Sequence, residues 1–281
     1  MAGVVALGAM AASAPAAAQD VPGRNVRDAV PDGFLDFTRR TDGRIHFCLN
    51  MASAIVEYDR AVAEAIADSL LVPPNFFEII DPYMSPYPFD YRFTVGALNL
   101  FVGVSNECDA LMGYLLPAYG TPPEWLTVTR PYLIAPTVFA VADPAYRRLE
   151  DIPPGMRIGT GLGEPGDATF RTYNNTRPAS ARWRRAVTPS PGDLVNGLLS
   201  GEYAGILIWE PGLHLALGGD PPEAGVSLAS TPFSVPPLQF SVALPAAGAY
   251  VRGLLDQAIT ALEADGTLRA LAIEHGIASA D

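Results

Sequence analysis

The sequence contains no lysine, because all 18 of its basic residues are arginine. This absence excludes Schiff-base catalysis and a Walker-type phosphate-binding lysine. Only three histidines and two cysteines are present, which leaves little for a metal site or a thiol enzyme. Charged residues make up just 17% of the 281 residues, and the formal net charge is −12. Since like charges repel, this acid excess argues against nucleic acids and anionic membrane surfaces as partners.

The N-terminal segment is apolar and carries no charge before Asp20. Its apolar stretch, residues 3–18, is too short for a good membrane span. The alanines that end this stretch form an A-x-A cleavage pattern, so we expect residues 1–19 to be an export signal cut near Ala18. The basic region that normally precedes such a stretch is missing, and the alternative is an Ala-rich flexible tail. With the signal, the expected location is the periplasm.

Apolar residues are plentiful, at 49% of the chain, which excludes a disordered protein. The length suits one large domain or two medium lobes. Strand-like runs alternate with helical patterns, which predicts an α/β fold with mostly parallel sheets. Two extended apolar segments, 136–142 and 238–244, enclose the second half of this alternation. A block inserted between two crossing strands predicts two lobes joined by two hinge segments, with the ligand cleft between them.

The pattern also predicts how the chain is divided. After an extension over residues 20–43, the first lobe is expected to comprise 44–138 and 243–281, and the second lobe 139–242. Helices are predicted at 60–71, 168–174 and 193–200. Aspartate is a favoured N-cap residue, and each of these helices has one at its predicted start: Asp59, Asp167 and Asp193.

The two cysteines each lie beside a predicted strand. Cys48 ends the apolar run 45–47, and Cys108 precedes the run 109–113. An exported protein with two cysteines is a candidate for one disulfide, which is sterically easy if the strands are neighbours. Closing a loop of about 60 residues would stabilise the fold by roughly 4 kcal/mol in the chain-entropy model. The alternative is two free buried cysteines.

Seven segments, in order between residues 44 and 277, resemble bacterial periplasmic solute-binding proteins of family 3, the polar amino-acid type. They include DRAVAEAIADSLL, ECDALMGY, PEWLTVTRPYLIAPTVFAV, LEDIPPGMRIGTGLGEPGDATF, LVNGLLSGEYAGILIWEP and LLDQAITALEADGTLRALAIEHG. The resemblance implies the two-lobed, type II periplasmic-binding-protein fold with two hinges. It also implies a monomer that has no cofactor or metal, captures a small molecule in the cleft and serves a membrane ABC permease.

The sequence departs from the amino-acid binders where they contact the ligand. Glu124 is followed by Trp125, whereas the family has an arginine whose planar fork clamps the ligand carboxylate. The loop over residues 49–59 is also shorter than usual in the family. We therefore expect a small polar or aromatic ligand rather than a plain α-amino acid.

The sequence is also compatible with two alternative functions. A narrower resemblance, carried by Cys48, Cys108, TRPY and GILIWEP, is to accessory proteins of periplasmic quinoprotein alcohol dehydrogenases. It implies a non-transport role with a dehydrogenase or its cytochrome. The other alternative is an enzyme, since this fold has hosted a dehydratase that uses a glutamate as general acid. Glu164 or Glu210 could be that acid, but no second catalytic group is identifiable, so no enzyme is expected.

The resemblance assigns part of the ligand site to a loop at a helix N-terminus in the second lobe. Amide groups and the helix dipole there suit an anionic ligand group. The alternative is an ordinary capped turn between a strand and a helix. The candidate residues of this loop are Glu164, Gly166, Asp167 and Thr169.

The other candidates lie on strand ends and neighbouring loops. Trp125 and Trp209 can stack on a ring or hold a cation, or they are core residues. Glu210 can pair with an amine or be a surface acid. The first-lobe candidates are Asn50, Tyr58 and Tyr114, and Arg130 is expected to brace Glu124 or Asp109.

Overall fold

The computed structural model describes residues 43–51, 53–79, 108–116, 122, 124 and 126–278. The predicted export signal (1–19), the predicted extension up to residue 42 and Trp125 therefore lie outside the described residues.

The described residues contain eleven strands and six α-helices. The strands are β1 (Ile45–Asn50), β2 (Pro74–Ile79), β3 (Ala110–Leu115), β4 (Leu126–Val128), β5 (Leu133–Ala135), β6 (Thr137–Val141), β7 (Arg157–Gly161), β8 (Arg184–Thr188), β9 (Gly205–Trp209), β10 (Ser227–Ala229) and β11 (Leu238–Pro245). The helices are α1 (Val56–Ser69), α2 (Pro165–Thr176), α3 (Pro191–Leu199), α4 (Glu210–Leu217), α5 (Ala249–Ala264) and α6 (Thr267–Glu274).

The strands form two mixed sheets. In the first, the order is β2-β1-β3-β11-β4, and β5 also pairs with β11. Strands β1, β2 and β3 are parallel, whereas β11 runs antiparallel to β3, β4 and β5. In the second, the order is β10-β6-β9-β7-β8, with β7 parallel to both β8 and β9, and β6 antiparallel to β9. The predicted α/β class is confirmed, but the prediction of mostly parallel sheets is wrong, because β4, β5, β6, β10 and β11 make antiparallel pairs.

The chain crosses between the sheets twice. The first crossing is a single residue, Pro136, because Ala135 ends β5 and Thr137 begins β6. The second crossing lies between the end of β10 at Ala229 and the start of β11 at Leu238. These are the two connections that hold the halves of the molecule together. The lobe boundaries given by the sequence remain a prediction.

Helix α1 packs an apolar face onto the first sheet. Tyr58, Val62 and Ile66 recur at helical spacing and are buried. The prediction that Asp59 caps this helix is wrong, because the helix begins at Val56 and Asp59 lies in its first turn. Its carboxylate instead accepts a buried hydrogen bond from the Tyr132 hydroxyl.

The other two predicted caps are also wrong. Helices α2 and α3 each begin at a proline, Pro165 and Pro191, whose fixed φ suits the first helical position. This moves each start ahead of the predicted aspartate. Ser190 caps α3, and its hydroxyl accepts the N–H of Asp193.

The predicted disulfide is confirmed. Cys48 and Cys108 are joined, with their Cα atoms 5.6 Å apart, and the bond closes a separation of 60 residues. The bond forms because β1 and β3 are neighbours in register, with Cys48 opposite Leu111. Both cysteines are buried in a small apolar cluster with Leu111 and Leu126.

Candidate functional site

The topology brings the carboxyl edges of the two sheets together. In the second sheet, β7 and β9 are parallel and end at Gly161 and Trp209, and Thr137 at the start of β6 pairs with Trp209. Pro136 connects this edge directly to the carboxyl edge of the first sheet. The indole of Trp209 accordingly lies 5.8 Å from the ring of Phe240 on β11, centroid to centroid. Carboxyl edges of this kind are where α/β proteins bind ligands.

Two helices begin at this edge. Glu164 is the N-cap residue of α2, and Trp209 is the N-cap residue of α4. Helix N-termini present unpaired amide groups and a partial positive charge. One of these amides, that of Glu210, already donates to the carbonyl of Pro136 at 2.9 Å. The edge therefore presents polar backbone amide groups, although the side chains around it are buried.

Glu164 is the most unusual side chain of the edge. It is 1% exposed, and neither carboxyl oxygen has a partner at ordinary hydrogen-bond geometry among the described residues, although one backbone donor, the Trp209 N–H, acts on it. The side chain folds over Gly161, where an added Cβ would lie only 2.3 Å from Glu164 Cδ. Burial raises the pKa of Glu164 to about 8, the charge of Asp167 adds to this, and the nearby Trp209 backbone N–H lowers it in part.

Two further buried polar atoms lie at the same edge without a partner in the described part of the chain: Thr137 Oγ1 and Trp209 Nε1. A Cβ on Gly166 would approach Thr137 Cγ2 to 2.9 Å, and one on Gly212 would approach Trp209 Nε1 to 2.1 Å. The two side chains thus pack on the first turns of α2 and α4. Buried polar atoms without partners are rare and cost about 1–3 kcal/mol each, so the three residues with such atoms at one edge make it the candidate binding site.

Asp167 has a different environment from Glu164, although only three residues separate them. Arg185 on β8 holds its carboxylate with two hydrogen bonds, Nε to Oδ1 at 2.5 Å and Nη2 to Oδ2 at 2.6 Å. The Thr160 hydroxyl donates a third, at 2.7 Å. Asp167 is thereby charge-compensated, and Glu164 remains the uncompensated acid. Sequence reasoning missed Arg185, because its partner lies on another element.

On the first-lobe side, a hydrogen-bonded chain joins three residues. The Tyr132 hydroxyl donates to Asp59 Oδ1 at 2.5 Å and accepts the N–H of Gly113 at 2.8 Å. Gly113 has φ +76°, and a Cβ there would lie 2.8 Å from Asp59 Oδ2, so glycine is required. Burial raises the pKa of Asp59 to about 7. Sequence reasoning missed Tyr132 and gave Asp59 the wrong role.

The first-lobe candidates Asn50 and Tyr114 lie at the carboxyl ends of β1 and β3, where the cleft is expected. Asn50 is buried and Tyr114 is half-buried. Tyr58 is core: it is 1% exposed, and its hydroxyl reaches the carbonyl of Tyr132 at 3.5 Å.

The remaining second-lobe candidates lie on α2 and α4. The Thr169 hydroxyl donates to the carbonyl of Pro165 within α2. Glu210 is half-buried in the first turn of α4 and borders a separate cavity of about 160 Å³, together with Leu213 and His214.

The prediction for Arg130 is wrong. Its guanidinium pairs with Glu263 and Thr260 on α5, not with Glu124 or Asp109. Asp109 instead accepts the backbone N–H of His46 at 2.9 Å.

Within the described ranges, no three His, Cys, Asp or Glu side chains group closely enough to hold a metal ion. In those same ranges, no helix is both long and apolar enough to cross a membrane.

No protein-family model matches this chain, and no curated protein matches it. Solved structures do match. An amino acid ABC transporter substrate-binding protein from Streptococcus pneumoniae, bound to L-arginine, is 18% identical over 85% of this chain and 98% of its own, with a TM-score of 0.53. The second substrate-binding domain of GlnP from Lactococcus lactis, in an open conformation, is 12% identical over 86% and 98%, with a TM-score of 0.63.

The fold is that of the type II periplasmic binding proteins. A third match is an ancestral amino acid-binding protein described as a precursor of cyclohexadienyl dehydratase. It is 13% identical over 86% of this chain and 99% of its own, with a TM-score of 0.53. The predicted two-lobed type II fold is confirmed. At these identities the likeness shows the fold alone, and function has to be argued from the site.

Proposed function

We propose that this protein is an exported solute-binding protein that captures a small molecule between its two lobes and delivers it to a membrane ABC permease. The observation that supports this most directly is the cluster of buried, unpartnered polar atoms on Glu164, Thr137 and Trp209. Such atoms are uncommon in natural proteins, and a bound ligand at a functional site supplies partners for them.

The architecture suits capture by closure. Two sheets joined by two connections can rotate about them, and a ligand that contacts both lobes stabilises the closed arrangement. Trp209 of the second lobe packs on Phe240 of the first sheet, so the ligand site borders the hinge. A ligand held at Trp209 therefore changes the contacts that hold the lobes together. Of the solved structures named above, one is an amino acid ABC transporter substrate-binding protein, one is a substrate-binding domain and one is an ancestral amino acid-binding protein, which supports a small solute as the ligand.

Binding is favoured over catalysis by the surroundings of Glu164. General acid–base catalysis needs a second group that takes or gives the other proton. The nearest acid, Asp167, is committed to Arg185 and Thr160. A dehydratase role for Glu164 therefore has no partner among the described residues. The accessory role beside a quinoprotein dehydrogenase stays a prediction that co-purification would test.

The proposed function is tested by thermal shift and calorimetry of the mature protein against a panel of metabolites. A ligand present at 100 times its Kd raises the free energy of unfolding by about 2.7 kcal/mol, a readily measured increase in melting temperature. We expect at least one small molecule to do so, and the Thr137→Val variant to bind it more weakly. A panel in which nothing raises the melting temperature would contradict the proposal.

A further inference from the structure

The N-terminus of α2 already has a carboxyl group beside it, and that group belongs to the protein. Glu164 is the N-cap residue of this 12-residue helix, and its side chain turns back over Gly161 toward the Trp209 backbone N–H. A helix N-terminus normally favours an anionic ligand group. Here an anionic ligand group would clash with the Glu164 side chain. Once the Glu164 carboxyl group is ionised, the two negative charges would also repel each other. This arrangement disfavours an anionic ligand group at this helix N-terminus.

The charges around Glu164 favour a cation. From α2 it faces Asp167, whose charge Arg185 on β8 balances. Glu210 begins α4 at the same edge. The strand ends beside it contribute Gly161, Thr137 and Trp209, which carry no charge. None of these groups would balance the charge of an ionised Glu164, and Glu210 adds a second negative charge at the same edge.

The unpartnered atoms specify which hydrogen bonds a ligand must make. The two oxygens of an ionised Glu164 accept hydrogen bonds, Trp209 Nε1–H donates one, and Thr137 Oγ1 does either. A protonated nitrogen with several N–H groups satisfies Glu164.

Resting on the proposed function, we propose that the cleft takes organic amines or guanidines that carry no carboxylate beside the charged nitrogen, and that Glu164 gives up its proton when such a ligand binds. The ligand arrives and stays protonated. The only bond broken is the O–H of the Glu164 carboxyl group, and its proton goes to bulk solvent. The ion pair that forms inside the cleft is neutral overall.

Burial raises the pKa of Glu164 to about 8, so the number of protons released per bound ligand can be measured. At pH 7 a group with that pKa is about 90% protonated, so binding releases about 0.9 proton per ligand. Because the ligand binds the ionised form, affinity falls as the pH is lowered. Between pH 8 and pH 6 the expected loss is about fifty-fold for a ligand that remains a cation throughout.

The test compares matched pairs that differ only in the carboxylate: agmatine with arginine, cadaverine with lysine, histamine with histidine and tyramine with tyrosine. Isothermal titration calorimetry in two buffers of different ionisation enthalpy gives both affinity and proton release. We expect at least one amine to bind about tenfold or more tighter than its amino acid. Glu164→Gln should lose about a hundredfold in that affinity and all proton release, whereas the exposed control Glu64→Gln should keep both.

Each other outcome overturns the inference in a distinguishable way. If an amino acid binds more tightly than its amine, or the amine binds without proton release, the inference fails and the proposed function stands. The same holds if only a neutral or anionic member of the wider metabolite panel binds. If nothing in the panel binds, both fail. Should Glu164→Gln not fold, the paired ligands and the two-buffer measurement on the wild-type protein still decide the question.

Discussion

Each sheet of this protein has a buried acidic side chain near the edge where its parallel strands end, and the two side chains differ in their hydrogen-bond partners. Asp59, on α1, has a 2.5 Å hydrogen bond from Tyr132, which is itself held by the Gly113 amide. Glu164, before α2, has no partner at ordinary hydrogen-bond geometry among the described residues. The pKa of each is raised because both are buried. The carboxyl group with internal partners joins α1 to Tyr132 and β3, whereas the one without them fits the proposed role of contacting a ligand.

The disulfide lies in the same half of the molecule as Asp59. It joins Cys48 on β1 to Cys108, which lies just before β3 in the first sheet. Replacing both with serine should lower the free energy of unfolding by about 4 kcal/mol, because the unfolded chain regains the entropy of a 60-residue loop. Urea unfolding of the double variant measures this loss. Ligand affinity at Glu164, in the other lobe, should change less than twofold, and a parallel loss of affinity would contradict the separation of roles.

Removing one hydroxyl group from each region tests the difference between them. Tyr132→Phe should destabilise the protein by about 2–3 kcal/mol, because it removes the hydroxyl that bonds both Asp59 and the Gly113 amide. Thr137→Val should change stability by less than about 1 kcal/mol, because its hydroxyl has no partner among the described residues, yet it should weaken ligand binding. Equal stability losses in the two variants would remove the distinction between the lobes.

The pH dependence of stability separates the two carboxyl groups. Each folded-state pKa is raised, from 3.8 to about 7 for Asp59 and from 4.5 to about 8 for Glu164, so the folded state binds protons more tightly. Their contribution to stability is fully present below the unfolded pKa, and it is lost as the pH rises through the folded pKa. Each group therefore lowers stability by up to about 1.4 kcal/mol per pH unit between those values.

Urea titrations from pH 4 to pH 9 measure these slopes. Glu164→Gln should remove the part of the decline that extends to about pH 8, and Asp59→Asn the part that ends near pH 7. A wild-type profile that rises across this range, with no difference in Glu164→Gln, would contradict the burial of an unpaired Glu164.

The smallest expected effect comes from the glycines at two helix starts. In Gly166→Ala the new methyl would lie 2.9 Å from Thr137 Cγ2, so Thr137 must shift, and we expect a loss of about 1 kcal/mol with weaker ligand binding. In Gly192→Ala on α3 the nearest atom is 3.6 Å away, so a change of zero to about 1 kcal/mol in favour of folding is expected. Thermal unfolding of both variants checks this, and an equal effect at both positions would argue against tight packing of Thr137.

The fold was predictable because its signals are local and ordered. Alternating strands and helices, the two extended segments and the order of the family-like phrases led to the two-lobed fold, and the two cysteines led to the disulfide. The partners of the buried acids were not predictable in the same way. Asp59 bonds Tyr132 across 73 residues, and Asp167 bonds Arg185 across 18, and neither pairing leaves a local pattern. At a helix start, a capping aspartate and one that points into the core look alike in sequence.

The candidate site was predictable in outline. The loop with Glu164 and the strand end with Trp209 are brought to one edge, as the resemblance implied. Thr137 was missed, because a threonine after a proline at a strand start is common in ordinary strands. The contrast between Glu164 and Asp167 was also missed, because two acids in one helix turn carry the same charge in sequence. The positions of Arg185 and Thr160, which both bond Asp167, separate them.

The most direct measurement is the number of protons released when the tightest-binding amine of the matched panel binds the wild-type protein at pH 7. We expect about 0.9 proton per ligand, from a Glu164 pKa of about 8, and close to zero for Glu164→Gln. No proton release by the wild-type protein, or an equal release by the variant, would contradict the claim that Glu164 is the ligand's partner.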